Sequence, residues 1–260
     1  MSSHPCATVH TSFSAYPMPA SALECWSFCF GGLVLKRSVD ILVAGFLLAV
    51  ALPVLAIAAV LIKLDSDGPV IFRQVRMGRN FKRFQLWKLR TMQVSRSGPA
   101  YTFGADPRIT RMGRWLRWSK IDEVPQLWNV LRGDMSMVGP RPVVPELTRE
   151  FNRAYTKLLL VRPGLTDPAT LKYCHEAEML GQVADPLACF MTVVTPDKVR
   201  ISQDYLQRAN TRSDVSLMVA TAWVLLRSCL RPLSGRRTSV EFGRVSEISG
   251  AGQPTAASGD

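Results

Sequence analysis

The chain has 260 residues, enough for one sizeable domain with its own core and appended tails. Lys and Arg number 32 and Asp and Glu 20, an excess of 12 positive charges. This charge favours nucleic acid, anionic lipid or phosphorylated small molecules as partners, and composition does not choose among them. The six cysteines show no CxxC pairs and no histidines placed to complete a zinc site, which indicates free thiols in a reducing compartment.

A leader and an apolar segment open the chain. Residues 1–35 are rich in Ser, Ala and Pro and predict a mobile leader or an additional membrane contact. Residues 41–62, ILVAGFLLAVALPVLAIAAVLI, carry no charge and are long enough to cross a bilayer as a helix of about 20 residues. No Lys or Arg precedes Lys36, so the basic start of a signal peptide is missing and we expect the segment to be retained.

Basic residues flank this apolar segment on both sides. Lys36 and Arg37 precede it and a basic run that begins with Lys63 follows, so both flanks favour the cytoplasmic face under the positive-inside rule. Pro53 removes a backbone hydrogen bond near the middle and can bend the helix. The sequence therefore predicts a re-entrant, proline-broken membrane helix over residues 36–63, with an ordinary kinked spanning helix as the alternative.

The next segments predict a hairpin and an amphipathic helix. Residues 68–92 alternate β-forming and basic residues around a turn signal at residues 78–80, which indicates a short hairpin. Further on, Trp115 and Trp118 lie three residues apart with arginines between and beside them. This pattern suits either a helix at the level of the lipid headgroups or tryptophans packed in a core.

The C-terminal part predicts a helix and a tail. Residues 213–230 are mostly apolar and predict a helix that packs on the domain or lies in the membrane interface. Residues 231–260 are dominated by Ser, Gly, Arg and Pro and predict a disordered tail. We expect residues 64–230 to form one α/β domain, mostly helical with a small sheet or hairpin.

Two adjacent carboxylates, Asp122 and Glu123, precede a short apolar run. Pro125 is tolerated only in the first turn of a helix, so the helix should start near Asp122 and stop at Gly133. One interpretation is structural, with Asp122 or Ser119 as the N-cap. The other is chemical, because a carboxylate held at a helix start among cations can coordinate magnesium or attack phosphorus.

A series of sequence blocks points to a known family. In chain order they are KRSVDI, the apolar segment with its central proline, GPVIFRQVRMG, WKLRTM, DPRITRMGRWLRWSKIDEVPQLWNVLRGDMSMVGPRP and VRPGLT. Together they resemble the signature of the bacterial sugar transferase family, the monotopic polyprenyl-phosphate phosphoglycosyl transferases. The sequence departs from the family where Leu52 precedes Pro53, since many members have a Ser-Pro pair there.

The resemblance implies an activity. It implies transfer of a sugar 1-phosphate from a UDP-sugar to polyprenyl phosphate, usually undecaprenyl phosphate, with release of UMP. This step would initiate exopolysaccharide, capsule or O-antigen biosynthesis at the cytoplasmic face of the bacterial inner membrane. Residues 64–230 would then be the catalytic domain, and the expected partners are the UDP-sugar, the lipid phosphate and the membrane, without nucleic acid.

The resemblance also implies site residues. Asp122 would be the nucleophile that forms an aspartyl-phosphosugar intermediate and would bind Mg²⁺, with Glu123 as its partner that assists deprotonation of the lipid phosphate. Five basic residues would bind substrate: Arg117, Arg141, Lys88, Arg90 and Arg162. For the last three of these a structural anchoring role fits the sequence equally well.

Two other functions are compatible with parts of the sequence. A non-catalytic, basic membrane-surface protein that binds anionic lipid would explain the charge and the apolar segment, with the two acids serving as caps. A UDP-sugar hydrolase would use water in place of the lipid. The sequence does not identify the sugar, although residues 171–198 are a candidate region for sugar specificity.

Overall fold

A long apolar helix opens the described part of the chain. The computed structural model describes residues 30–93 and 106–230, and helix α1 spans Phe30–Asp65. The helix thus begins inside the predicted leader, whose residues 1–29 lie outside the described part. It includes Pro53 and continues as a helix beyond it, so the expected break is not an interruption of the helix.

The predicted hairpin is confirmed. Strands β1, Ile71–Met77, and β2, Arg83–Leu89, pair antiparallel in a two-stranded sheet. Ile71 pairs with Leu89 at the open end, and a 3-10 turn over Arg79–Phe81 connects the strands. The strand pairing fixes the basic side chains of this segment on a rigid surface.

A helix, a short turn and a second helix carry the two adjacent acids. Helix α2 spans Arg111–Ser119, a 3-10 turn spans Ile121–Glu123, and helix α3 spans Gln126–Arg132. Gly133 ends α3 in the left-handed region with φ 91°, as the sequence predicts. The start of the helix differs from the prediction, because Asp122 lies in the separate 3-10 turn and not in the first turn of α3.

A second small sheet lies in the core. Strands β3, Ser136–Val138, and β4, Gly164–Thr166, pair in parallel. Gly139 follows β3 and approaches Gly164 so closely that a Cβ on Gly164 would lie 2.1 Å from the backbone nitrogen of Gly139. Two glycines are therefore required where the chain leaves β3 toward Arg141.

Short helices complete the domain. In chain order they are α4 Pro145–Glu150, α5 Asn152–Leu158, α6 Pro168–Lys172, α7 Glu176–Leu180, α8 Pro186–Cys189, a π-helical turn Phe190–Val194, α9 Thr195–Arg208 and α10 Thr211–Leu230. Helix α10 begins earlier than predicted because Asn210 caps it, with Oδ1 accepting from the backbone N–H of Ser213 at 2.9 Å. The predicted tail, residues 231–260, lies outside the described part of the chain.

The first part of α1 is bound to the domain by polar contacts. Arg37 donates to the carbonyl oxygens of Val130 and Leu131 at 2.8 and 3.1 Å, at the C-terminal end of α3. Asp40 is buried and accepts a hydrogen bond from the hydroxyl of Ser136 at 2.7 Å. A cation at the carbonyl end of a helix complements the helix dipole, so these contacts fix α1 against α3 and β3.

The last part of α1 is bound to the same domain. The buried guanidinium of Arg90, just after β2, donates to the carbonyl oxygens of Ser66 at 2.6 Å and Asp67 at 2.7 Å. Asp65 accepts from the backbone N–H of Met112 in α2 at 2.9 Å. Both ends of α1 therefore contact one and the same folded domain.

The outer side of α1 is apolar. Its exposed large side chains are Val34, Leu35, Ile41, Leu42, Phe46, Leu47, Val50, Leu52, Val54, Ile57, Val60 and Leu64. Among the described residues, one helix, Val34–Asp65, is long and apolar enough to cross a membrane by length and composition. On α2, Trp115 is 40% exposed and Trp118 is partly exposed, so neither is a core tryptophan.

Candidate active site

The two adjacent acids lie where the chain turns from α2 toward α3. Lys120 adopts the left-handed conformation with φ 59°, ends α2 and directs the chain into the 3-10 turn. This turn places Asp122 in the interior, at 6% exposure, and leaves the side chain of Glu123 16% exposed. The sequence does not reveal this turn, because a lysine carries no signal for the left-handed region.

Glu123 connects three elements through ion pairs. Its Oε1 accepts from Nζ of Lys88 on β2 at 3.2 Å and from Nη2 of Arg141, in the loop after β3. Burial alone would raise the pKa of Glu123, but the positive charges of Arg141 and Lys88 outweigh it and hold that pKa well below its usual range. Glu123 is therefore ionised at neutral pH, and Lys88 and Arg141 are fixed by it.

Asp122 has a different environment. Its Oδ1 is buried and has no hydrogen-bond partner among the described residues. Burial, together with the negative charge of Glu123, raises the pKa of Asp122 to about 6, although the nearby charges of Lys88, Lys120 and Arg117 oppose this rise. At neutral pH most of this carboxylate is ionised and held in the interior among cations.

The capping interpretation is not supported by the geometry. Within residues 30–93 and 106–230, the 3-10 turn that contains Asp122 has no side-chain cap hydrogen bond. The hydroxyl of Ser119, the other candidate cap, donates to the carbonyl oxygen of Trp115 at 3.0 Å. Neither residue satisfies a free backbone N–H at this helix start, so capping does not explain why two acids stand here.

Arg117 is, after Lys88 and Arg141, the third of the predicted basic residues that lies close to the two acids. Its Nε donates to Oγ1 of Thr91 at 2.9 Å, which fixes the guanidinium at the end of β2. Burial lowers the pKa of Arg117, and the charges of Asp122 and Asp106 partly offset this effect. The structure thus brings Asp122, Glu123 and the cations of Arg117, Lys88 and Arg141 into one cluster.

Two predicted residues have structural contacts instead. Arg90 binds the carbonyl oxygens that follow α1, as described above. Arg162 donates from Nε to the carbonyl oxygen of Gly133 at 3.0 Å, at the end of α3. A structural anchoring role fitted the sequence of these two arginines equally well, and their hydrogen bonds to backbone carbonyl oxygens are anchoring contacts.

Two residues close to the acids were not predicted from the sequence. Lys120 adds a positive charge that acts on both Asp122 and Glu123. Gln126, the first residue of α3, is 1% exposed, and its Nε2 has no partner in the part of the chain that the structure describes. The signal for Lys120 was its position two residues before Asp122, but Gln126 gives no signal in the sequence because glutamine is a common helix residue.

The donor set fits one mode of magnesium binding. In residues 30–93 and 106–230, no three His, Cys, Asp or Glu side chains are grouped so that they could hold a metal ion. Magnesium often binds through one or two carboxylates, with water and substrate phosphates as the other ligands. The Asp122 carboxylate is a ligand of this kind, so it could hold the ion together with a ligand that carries phosphate.

A cavity of about 900 Å³ reaches this cluster. One part of its wall is apolar and comes from α1 and α10, and the cavity continues to Glu123 and Arg141. The apolar wall residues include Val43, Leu47, Val50, Val54, Met218 and Leu225. The cavity therefore joins a charged cluster to an apolar trough.

Comparisons with known proteins find one matching family and several relatives. A family model described as bacterial sugar transferase matches residues 32–228. A Bacillus subtilis (strain 168) protein with the provisional name undecaprenyl-phosphate N-acetylgalactosaminyl 1-phosphate transferase is 48% identical over 121 residues, which are 46% of this chain and 68% of that protein.

Two further relatives are similarly close. The UDP-glucose:undecaprenyl-phosphate glucose-1-phosphate transferase of Caulobacter vibrioides is 46% identical over 53% of this chain and 53% of its own length. The exopolysaccharide production protein PSS of Rhizobium leguminosarum bv. phaseoli is 43% identical over 54% of this chain and 74% of its own length. The chain thus spans about half to three quarters of the length of these three relatives.

Proposed function

Because this chain belongs to the bacterial sugar transferase family, we propose that it transfers a sugar 1-phosphate from a UDP-sugar to undecaprenyl phosphate and releases UMP. Membership makes the chain a phosphoglycosyl transferase, and the names of two relatives specify an undecaprenyl-phosphate acceptor. The name of a third refers to exopolysaccharide production, which supports the proposal that the reaction initiates the assembly of such a polymer.

One observation carries the proposal. Asp122 holds a buried oxygen, Oδ1, without a partner in the described part of the chain, while cations surround the same carboxylate. An ionised carboxylate that is free to react is a nucleophile toward phosphorus, and the cations can stabilise the charge of a diphosphate. An aspartate that served only as a cap or an ion-pair partner would gain nothing from a buried oxygen without a partner.

The proposed reaction has two steps. First, Oδ1 of Asp122 attacks the phosphorus that carries the sugar, the bond from this phosphorus to the oxygen of UMP breaks, and UMP leaves with the electron pair. Second, an oxygen of the lipid phosphate attacks the same phosphorus and the Asp122 carboxylate leaves. Arg117 and Arg141 stabilise the charge that spreads over the phosphoryl oxygens in both steps.

Glu123 has a positioning role in this scheme. Its pKa lies well below the usual range because Arg141 and Lys88 outweigh the effect of burial, so it is a weak base at neutral pH. We therefore propose that Glu123 holds Lys88 and Arg141 at the phosphates and takes no proton from the lipid phosphate. Magnesium, when bound at Asp122 and the diphosphate, would supply further charge neutralisation.

The contacts of α1 support attachment to one side of a membrane. Both its ends bind the same domain, through Arg37 at one end and Arg90 at the other. A folded domain cannot lie on both sides of a bilayer, so α1 would enter and leave on the same side, with its exposed apolar side chains in the lipid. We place the domain on the cytoplasmic face of the bacterial inner membrane, where UDP-sugar and lipid phosphate can both reach Asp122.

A UMP-release assay tests the proposed function. Detergent-solubilised full-length protein is given Mg²⁺, undecaprenyl phosphate and a panel of UDP-hexoses and UDP-N-acetylhexosamines. We expect release of UMP with at least one sugar, dependent on the lipid, and loss of turnover in Asp122→Asn.

A capping aspartate provides the matched control for this substitution. Asp185 is exposed and caps α8, with Oδ1 accepting from the N–H of Ala188 at 3.0 Å. Asn is as good a cap as Asp, so Asp185→Asn should keep full activity. Retained turnover in a folded Asp122→Asn protein would overturn the mechanism, and UMP release without the lipid at the full rate would favour a hydrolase.

A further inference from the structure

The cavity continues beyond Arg141 into a region that the proposed transfer steps do not use. Helices α6, α7 and α9 form this region, and we refer to its polar wall as the polar lobe. The polar lobe consists of Thr170, Tyr173, Glu176, Thr195 and Lys198. The apolar trough between α1 and α10 lies in the same cavity, so the two regions differ mainly in the chemistry of their walls.

Two hydroxyl groups of the polar lobe are buried without protein partners. Thr195 is 1% exposed at the start of α9, and its Oγ1 has no hydrogen bond within the described ranges. Oγ1 of Thr170 is also buried and has no hydrogen-bond partner among the residues that the structure describes. A buried hydroxyl that stays unpaired costs free energy, so both positions are explained best by a ligand that supplies the missing hydrogen bonds.

The other groups of the lobe form a fixed frame. Lys198 donates from Nζ to Glu176 at 2.6 Å, and its ammonium lies 5.4 Å from the ring centre of Tyr173. Tyr173 in turn donates from its hydroxyl to Asp197 at 2.7 Å. The lobe thus offers a carboxylate, an ammonium group, two hydroxyls and an aromatic ring, groups that can hydrogen-bond or pack against a polyhydroxylated ring.

Arg141 connects the lobe to the catalytic turn. It pairs with Glu123, next to Asp122, and it is also close enough to Glu176 and Lys198 for their charges to interact. In a sugar 1-phosphate a single bridging oxygen joins the phosphorus to the ring. A phosphate held by Arg141 therefore has its sugar ring within reach of the lobe.

We propose that the polar lobe is the sugar subsite and that the hydroxyls of Thr195 and Thr170 contribute to the choice of sugar. This inference rests on the proposed function, because it takes the donor to be a UDP-sugar. The main competing occupant is the isoprenoid chain of the acceptor. An isoprenoid has no groups to pair with Glu176, Lys198 or the two hydroxyls, and the apolar trough suits it better.

The test compares Thr195→Val with two other variants of the full-length protein. Valine has the shape of threonine without its hydroxyl, and Thr195→Ser restores the hydroxyl. Thr148→Val is the matched control, because Thr148 is also buried but bonds through Oγ1 to the carbonyl oxygen of Pro145 at 2.7 Å and does not line the cavity. Each protein is assayed with UDP-glucose, UDP-galactose, UDP-N-acetylglucosamine and UDP-N-acetylgalactosamine.

We expect Thr195→Val to lower kcat/KM for the preferred sugar by roughly 3- to 30-fold, which is the effect of one lost hydrogen bond. The differences in kcat/KM among the four sugars should become smaller. The KM for undecaprenyl phosphate and the Kd for UMP should not change, and Thr195→Ser should recover most of the loss. Thr148→Val should behave like the wild type in all four assays.

Two results with Thr195→Val would overturn the inference, and so would one result with the wild type. The lobe does not hold the sugar if Thr195→Val leaves the preference among the four sugars unchanged. The same conclusion follows if Thr195→Val raises the KM for the lipid and has no effect on the sugar preference. A binding measurement separates this failure from failure of the proposed function. If the wild type binds each UDP-sugar no more tightly than UMP, the sugar subsite is excluded, whereas absent turnover with tight UDP-sugar binding would instead contradict the transfer reaction.

Discussion

At the scale of single residues, the carboxylate of Asp122 lies in surroundings that oppose its own charge. Burial and the adjacent Glu123 both disfavour the ionised form, and the pKa rises from 3.8 to about 6. The sequence identified both acids and the cations Arg117, Lys88 and Arg141. It could not reveal that Glu123 is paired whereas Asp122 has a buried oxygen without a partner in the described part of the chain, because this difference depends on contacts with distant segments.

The raised pKa predicts that Asp122→Asn stabilises the fold at neutral pH. A carboxyl group with a raised folded pKa favours folding below the unfolded pKa of 3.8 and loses this contribution as the pH rises through about 6. Removing the charge should therefore increase the free energy of unfolding by up to about 3 kcal/mol at pH 8. The difference from wild type should vanish near pH 4, and thermal unfolding at both values checks this.

The same pKa predicts an acid limb in the pH–rate profile. Only ionised Asp122 can attack phosphorus, so kcat/KM should fall as the pH drops below about 6. Glu123→Gln removes a negative charge that raises the pKa of Asp122. The acid limb in the pH–rate profile of this variant, measured on its residual activity, should therefore move to lower pH. A limb that stays in place or moves upward would contradict the coupling between the two acids.

At the scale of elements, some boundaries follow from local signals and others do not. The turn at residues 78–80 and the helix end at Gly133 were both predicted, since glycine and turn residues act locally. The left-handed conformation of Lys120 was not predictable, because the contacts that hold the chain there are made by Glu123 with Lys88 of β2 and with Arg141 in the loop after β3. The parallel β3–β4 pair has only three residues in each strand, too few for a periodic pattern.

The close approach of the backbone at Gly164 predicts that a single added methyl group, in Gly164→Ala, strongly affects stability and activity. A Cβ there would lie 2.1 Å from the nitrogen and 2.3 Å from the oxygen of Gly139. We expect Gly164→Ala to lower the free energy of unfolding by about 2–4 kcal/mol and to reduce kcat, because the loop that carries Arg141 must move.

Gly45 in α1 is the control for this substitution. A Cβ at Gly45 would meet its nearest atom, in Leu131, at 3.9 Å. Gly45→Ala should therefore leave activity unchanged and increase the free energy of unfolding by about 0.5–1 kcal/mol through helix propensity. Equal effects of the two substitutions would contradict the packing argument.

At the scale of the whole molecule, α1 is both the apolar surface and a wall of the cavity that reaches the active site. The uncharged run from 41 to 62 and its basic flanks predicted a membrane segment with both ends on one side. The sequence could not show how the ends are held. Asp40 holds one end through a hydrogen bond with Ser136, which is far away in the chain. Arg90 holds the other end through a carbonyl oxygen that only the fold brings near.

Attachment from one side predicts the labelling of the two ends of α1. Ser38 and Lys63 are exposed polar residues near the two ends of α1, so single cysteines at these positions, in a protein whose native cysteines are replaced by serine, should react with a membrane-impermeant maleimide. We expect both to react in inverted inner-membrane vesicles and neither in intact spheroplasts. Labelling of the two positions from opposite sides would mean that α1 crosses the bilayer.

In the proposed reaction, Asp122 carries the sugar phosphate between two half-reactions. To test this, the full-length protein is mixed with Mg²⁺ and its preferred UDP-sugar in the absence of lipid, and UMP release, the intact mass of the protein and the masses of its peptides are measured. We predict a burst of at most one UMP per protein and a mass increase of one phosphosugar on the peptide that contains Asp122. Turnover with lipid but neither burst nor adduct without it would contradict the claim.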